Sequence, residues 1–304
     1  MLRVAAVWVA VWGAAAVGLA AEDHVDGVVT DVLVRVARVK AVQPEAVPMA
    51  FWDFDGTIIW GDLTLGSKKA APFFAGIMEA AVVAGLNNIY SGEAGWHRYF
   101  EDDRFRLRDL AQWLAVPFRA QMYEGKSVVE IEAFAAARIR TDLSRYYFQS
   151  SLRILKALQA AGVENHIISG SPEVFIRATA ESLGVPRQNL HGVRVAERNG
   201  KLTAQLCYPL PVESGKIELM DAIVRAQRGG VVVAGFGNDY RADGPFLKAI
   251  ATRTLPGGGK GFALMINGKH RDSAYDGLFR CVTQWELVGQ GDGRPCSGNP
   301  LSSN

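Results

Sequence analysis

Apolar positions along the chain change period several times, and the changes mark its elements. Val25, Val28, Val29, Val32, Leu33, Val36 and Val39 recur at helical spacing, which predicts a helix that "AVQPEAVP", with Pro44 and Pro48, then ends. "MAFWDF" follows as a short, continuously apolar run, the pattern of a buried strand. From Ile58 to about Arg145 the period is helical, with segments over Ala70–Leu86, Arg106–Gln121 and Val128–Leu143. That interval far exceeds the roughly 2–6 residues of an ordinary strand-to-helix connection, so it predicts a separate helical insert. Helix and strand patterns then alternate. "SSLRILKALQAAG" reads as a helix and "VENHIISG" as a strand. "SPEVFIRATAESLG" is a helix opened by Ser171 and Pro172. "VRVAERNGKLTAQL" alternates on both sides of Asn199-Gly200, a hairpin signal. "SGKIELMDAIVRAQ" is a helix, and "GVVVAGFG" and "GFALMING" are strands. The expected fold is therefore α/β: a Rossmann-like parallel sheet with helices on both faces, plus an inserted α-helical cap. The expected divisions are a core over 21–58 and 146–285, a cap over 59–145 and a loose Gly/Pro-rich tail over 286–304.

The N-terminus has its own pattern. Arg3 precedes an uncharged apolar run from Val4 to Ala21, and Gly18-Leu19-Ala20 supplies a small-x-small site for cleavage after Ala20. This reads as a signal peptide over 1–20, hence an exported, periplasmic or secreted protein. The competing reading is an uncleaved membrane anchor, because about 18 apolar residues just span a bilayer. Composition adds little: 33 basic and 31 acidic residues leave a formal charge of +2 in 304 residues. That balance provides no basic field for nucleic acid and makes small molecules the default partners. The cysteines Cys207, Cys281 and Cys296 show no metal-ligand spacing. In an exported chain Cys281–Cys296 is a candidate disulfide. "LPGGGKGF" lacks the P-loop spacing and its Ser/Thr, so it is a turn.

In open α/β sheets, ligands collect at the carboxyl ends of the strands. The predicted strands end in Asp53 and Asp55, in Ser169, and in Asn238 and Asp239 with Asp243 beyond, while Lys216 opens a helix between two of them. Two carboxylates ending a buried strand need an offsetting charge, and a bound cation is the simplest one.

These residues carry a family resemblance. "DFDGT" (Asp53–Thr57) resembles the D-x-D-x-T motif of the haloacid dehalogenase superfamily. "HIISGS" resembles its second motif, "ESGK" the third-motif lysine, and "GNDYRADGPFL" the fourth, acidic motif. The insert between the first two motifs is similar to the helical cap of the phosphoserine-phosphatase-like branch, and "GFALMINGK" resembles the secreted phosphorylcholine phosphatases more loosely. The resemblance implies a Mg²⁺-dependent phosphohydrolase acting on small phosphomonoesters. It makes Asp53 the nucleophile, Asp55 the acid and then the base, and Ser169 and Lys216 the holders of the phosphoryl group. The implied metal ligands are Asp53, the Asp55 carbonyl and Asp239. The fourth motif departs from the usual Gly-Asp by placing Asn238 after Gly237, so Asn238 competes with Asp239 for the third ligand position. A silent phosphate-ester binder and a phosphotransferase are the rival functions. Trp52, Trp60, Trp96, Trp113 and Tyr123, with His97 and Arg104, lie in or beside the insert. They raise choline phosphate as one substrate hypothesis through an aromatic cage, while packing of the cap is the plainer role for them. His166 is expected to be structural.

Overall fold

The computed structural model describes residues 25–289. The leader reading and Cys296 lie outside them. Among the described residues, no helix is long and apolar enough to cross a membrane.

Helix α1 (25–42) lays Val25, Val28, Val32 and Val39 into the core, as the valine period predicts. β1 (Val47–Trp52) follows and leads into the insert. The insert comprises a ribbon of β2 (Gly66–Ser67) and β3 (Phe74–Ala75), then α2 (Ile77–Val83), α3 (Gly92–Leu110), α4 (Gln112–Gln121) and α5 (Val128–Thr141). The core resumes with α6 (Gln149–Ala160), β4 (Glu164–Pro172), the short α7 (Glu173–Arg177) and α8 (Ala180–Leu183), and β5 (Leu190–Val193). A hairpin of β6 (Val195–Arg198) and β7 (Lys201–Leu206) comes next. The chain then forms α9 (Gly215–Ala226), β8 (Gly230–Asp239), α10 (Gly244–Thr252), β9 (Phe262–Lys269) and β10 (Arg280–Val282).

The main sheet has six strands in the order β10-β9-β8-β1-β4-β5, and every pairing in it is parallel. β1 is central, and from Pro48 to Trp52 every residue is buried. A strand covered on both faces must be apolar on both, which explains a run without alternation. Met49 and Phe51 join one core cluster, Ala50 and Trp52 the other, so the sheet divides the core into two layers. Trp52 stacks on Phe236 at 3.6 Å between ring centroids and donates its indole N–H to Asn165 at 2.7 Å.

The Asn-Gly hairpin forms as predicted, with Asn199 and Gly200 at φ 51° and 72°, the left-handed pair that such a turn requires. Several expected boundaries move. The first cap helix covers Ile77–Val83, not Ala70–Leu86, because the preceding residues pair as the β2–β3 ribbon. The helix expected over Arg106–Gln121 is two helices, broken at Ala111 with φ 64°. Part of the expected tail is ordered: the Gln149 N–H donates to the Glu286 carbonyl at 2.8 Å, the Val288 N–H to Tyr147 at 3.0 Å and the Gly289 N–H to Arg145 at 2.7 Å. Leu287 is buried there, so apolar burial outweighs the loop-like composition.

The cap enters and leaves at one place. The Trp60 N–H donates to the Tyr146 carbonyl and the Phe148 N–H to the Ile58 carbonyl, both at 2.8 Å. A second attachment joins the start of α5 to the hairpin, where the Gly125 N–H donates to Leu202 at 2.7 Å and the Val128 N–H to Gly200 at 3.0 Å.

Candidate active site

The carboxyl ends of β1, β4 and β8 lie side by side. The Asp53 N–H donates to the Phe236 carbonyl of β8 at 2.9 Å, which fixes the first residue beyond β1. Gly56 (φ 78°) then turns the chain sharply. A Cβ there would fall on the Asn238 carboxamide and 3.3 Å from Lys269 Nζ. Glycine is required at this position both by its conformation and by that close approach.

The four residues expected to carry chemistry meet in two linked contacts. Lys216, in the first turn of α9, donates to Asp53 Oδ1 and Asp243 Oδ1, each at 2.6 Å. Ser169 Oγ donates to Asp55 Oδ2 at 3.0 Å. Further side chains complete the arrangement, among them Ser171, which lies in β4 instead of opening the next helix and faces the site. Thr57 Oγ1 donates to Asp53 Oδ2 at 2.9 Å, Ser171 Oγ to Asp55 Oδ2 at 2.8 Å, and Thr64 Oγ1 to Ser171 Oγ at 2.8 Å. The Leu63 N–H donates to Asp55 Oδ1 at 2.6 Å. Ser171 stands two residues after Ser169 in a strand, a period that pointed to one shared face. Asp62, whose Oδ1 accepts from the Thr64 and Leu65 N–H groups at 2.8 and 2.7 Å, had no such signal.

Asp53, Lys216 and Asp243 are all at most 5% exposed. Burial, then the Asp243 charge, pushes the Asp53 carboxyl up to about 7, with Lys216 opposing. Burial, then Asp62 and Asp53, pushes Asp55 up to about 8. Burial alone would lower the Lys216 ammonium, but Asp243 and Asp53 hold it above its ordinary range. Two buried carboxylates thus share one ammonium, and burial with the neighbouring acids favours the protonated forms of Asp53 and Asp55.

In the fourth motif the neighbours Asn238 and Asp239 diverge. The Asp239 carboxylate accepts from the Arg241 and Ala242 N–H groups at 2.8 and 3.2 Å and lies 2.7 Å from His270 Nδ1. It is therefore committed to its own turn. Asn238 is 4% exposed and packs on Gly56. Asp243 accepts from the Asn238 and Asp239 N–H groups at 2.8 and 2.9 Å, which holds the turn closed.

No three His, Cys, Asp or Glu side chains form a self-contained metal cage among the described residues. The donors at this edge suit a hard cation that takes few protein oxygens and keeps waters. These are the Asp53 carboxylate, the Asp55 carbonyl and the Asn238 amide, whose oxygen and nitrogen exchange by a half-turn. The residues fit Mg²⁺ with one ionised ligand.

The cap covers the edge through α4. Val116 of α4 lies in ordinary contact range of Gly170, and a Cβ on Gly215 would fall on the Leu210 carbonyl oxygen and lie 3.0 Å from the Trp113 ring, so glycine is needed where α9 begins beneath the cap. Trp113 also donates to Glu213 at 3.3 Å. The other aromatic residues disperse. Trp52 is in the sheet core and Trp96 stacks on Tyr99 at 5.2 Å within the cap. Tyr123 is buried against Phe175, and Trp60 donates to Ser67 at 3.2 Å. His97 and Arg104 line a cap cleft with Lys68, Phe100 and Glu101. These side chains do not converge as a cation cage. His166 is a buried core residue 3.3 Å from His191.

One solved structure shares this architecture. The solved structure of a protein of unknown function from Bordetella pertussis Tohama I aligns over 78% of this chain and 98% of its own, with 14% identity and a TM-score of 0.60. A phosphoserine phosphatase with bound substrate aligns over 78% of this chain and 93% of its own, at 14% identity and a TM-score of 0.44. A search of curated protein sequences finds no match. The family model of haloacid dehalogenase-like hydrolases matches residues 50–248, the span from β1 into α10, and the chain belongs to that family.

Proposed function

We propose that this protein is an exported, Mg²⁺-dependent phosphohydrolase that cleaves small phosphomonoesters through an aspartyl-phosphate on Asp53. The observation that carries the reading is the meeting of Asp53, Asp55, Ser169 and Lys216 at one sheet edge. Export rests on the leader pattern of residues 1–20.

Asp53 attacks phosphorus through a carboxylate oxygen, and Thr57 and Lys216 orient it. Asp55 gives its proton to the leaving ester oxygen. In the second step Asp55 takes a proton from water, which attacks phosphorus and frees Asp53. Ser169 and Lys216 hold phosphoryl oxygens as charge shifts between them. Asp53, the Asp55 carbonyl and Asn238 would hold Mg²⁺, which would supply the charge neutralisation that lets an anion approach a dianion. Asn238 is preferred to Asp239 because it packs on the first-motif loop while Asp239 faces His270.

The test is hydrolysis of an aryl phosphate with Mg²⁺, with chelator, and by Asp53→Asn. Metal-dependent release that disappears in the variant is expected. Release that survives in Asp53→Asn overturns the mechanism.

A further inference from the structure

The carboxyl end of β9 is a motif the mechanism above leaves unused, and it is built tightly against the site. Asn267 (φ 50°) donates to the Gln284 carbonyl at 2.9 Å and accepts the Gln284 N–H at 2.8 Å. A Cβ on Gly268 would lie 2.7 Å from the Tyr240 ring. The Lys269 carbonyl accepts the Tyr240 N–H at 3.0 Å, and His270 (φ 53°) meets Asp239 at 2.7 Å. The backbone around Lys269 is thus fixed from both sides. The Lys269 ammonium reaches back to the first-motif loop, 3.3 Å from where a Gly56 Cβ would stand and beside Asn238. Among the described residues it has no carboxylate within ion-pair distance.

This placement coincides with the departure in the fourth motif. A neutral amide occupies the position where the family pattern has a carboxylate, and an unpartnered ammonium stands next to it. Together they make this side of the site two charges more positive than an Asp without the lysine would. Lys216 already spends its charge on Asp53 and Asp243. We propose that Lys269 is a second phosphate-contacting cation of the site, which lets the protein hold a phosphate dianion before, or without, a divalent metal. The proposal deepens the phosphohydrolase reading and rests on it for the site's location.

The experiment is calorimetric titration of inorganic phosphate into the chelator-treated protein, together with Mg²⁺ titration in the absence of phosphate. The wild-type protein is expected to bind phosphate without metal. Lys269→Met should weaken that binding about tenfold, the order of one charge-assisted hydrogen bond, and Lys269→Arg should retain most of it. Asn238→Asp should weaken metal-free phosphate binding and tighten Mg²⁺. Phosphate affinity unchanged within about twofold in Lys269→Met, on the scale of such a bond, overturns the proposal, as does absence of metal-free binding by wild type. Release that survives in Asp53→Asn overturns the hydrolase mechanism alone, so the two failures are distinguishable. Lys269 is exposed, so its substitutions are expected to fold, and circular dichroism checks this.

Discussion

The sheet edge and the cap each bury a charged network, and the networks differ in balance. In the cap, Arg119 donates to Asp103 at 3.1 Å and to Tyr99 Oη at 3.1 Å, while Tyr99 donates to Asp103 at 2.9 Å. One cation meets one carboxylate, and a hydroxyl closes the triangle. Burial alone would lower Arg119, but Tyr99 and Asp103 hold it above its usual range. At the sheet edge one ammonium serves two carboxylates, and Asp55 adds a third acid. A closed, balanced network locks a structure. A network with more acids than cations is a place where a further positive charge, a proton or a metal, is accommodated.

The sharpest way to break this comparison is Lys216→Met. It leaves Asp53 and Asp243 buried without their cation and should cost about 3–5 kcal/mol, read from urea unfolding, with hydrolysis abolished. Arg119→Met should cost about 3 kcal/mol by orphaning Asp103. The double variant Arg119→Met/Asp103→Leu should recover to within about 1 kcal/mol of wild type and keep aryl phosphate hydrolysis, because a balanced pair is replaceable by apolar packing. If no such recovery occurs, the cap network is more than structural.

A third prediction concerns acid. Burial lowers His166 to about 4 and, with the His166, Arg177 and Arg194 charges, lowers His191 to about 3. The unfolded chain therefore binds more protons below its ordinary histidine range. Stability contributed by each neutral ring is complete above about 6.5 and falls by about 1.4 kcal/mol per pH unit below it, down to the folded values near 4 and 3. Glu164, 3.4 Å from His166, is the carboxylate facing the pair. Urea midpoints for wild type and His166→Gln/His191→Gln should converge as pH falls from 6.5 to 4.5; parallel curves would show that the rings are not held neutral. The smallest effect is expected at the contact between the two regions. Trp113→Phe removes the bond to Glu213 and should raise KM about threefold while leaving kcat near its original value, as loss of one part-exposed hydrogen bond does.

The parallel sheet, the valine helix and the Asn-Gly hairpin were legible because each rests on short-range period or turn chemistry. That Asp53, Asp55 and Ser169 would meet at one edge was legible because strand ends in an α/β sheet converge, and Lys216 joins them from the helix that precedes β8. The different surroundings of Asn238 and Asp239 were not legible, since successive residues at the end of a strand face opposite ways and only the fold brings His270 to Asp239. Lys269 was hidden for the same reason: its approach to Gly56 spans 213 positions of chain. The break at Ala111 was missed because alanine carries no helix-stop signal. The order of residues 286–289 was missed because one buried leucine in a Gly-rich stretch gives no period.

The cap's neck has an evolutionary consequence. Ile58 and Trp60 on the outgoing chain meet Tyr146 and Phe148 on the returning chain, so the intervening segment hangs from the sheet without threading it. Such a pendant can be lengthened, shortened or exchanged without shifting the register of any core strand, provided the second seam at the hairpin is remade. On the proposed function, selection and chemistry are thereby heritable separately: the appendage can change while Asp53, Asp55, Ser169 and Lys216 stay where the sheet holds them.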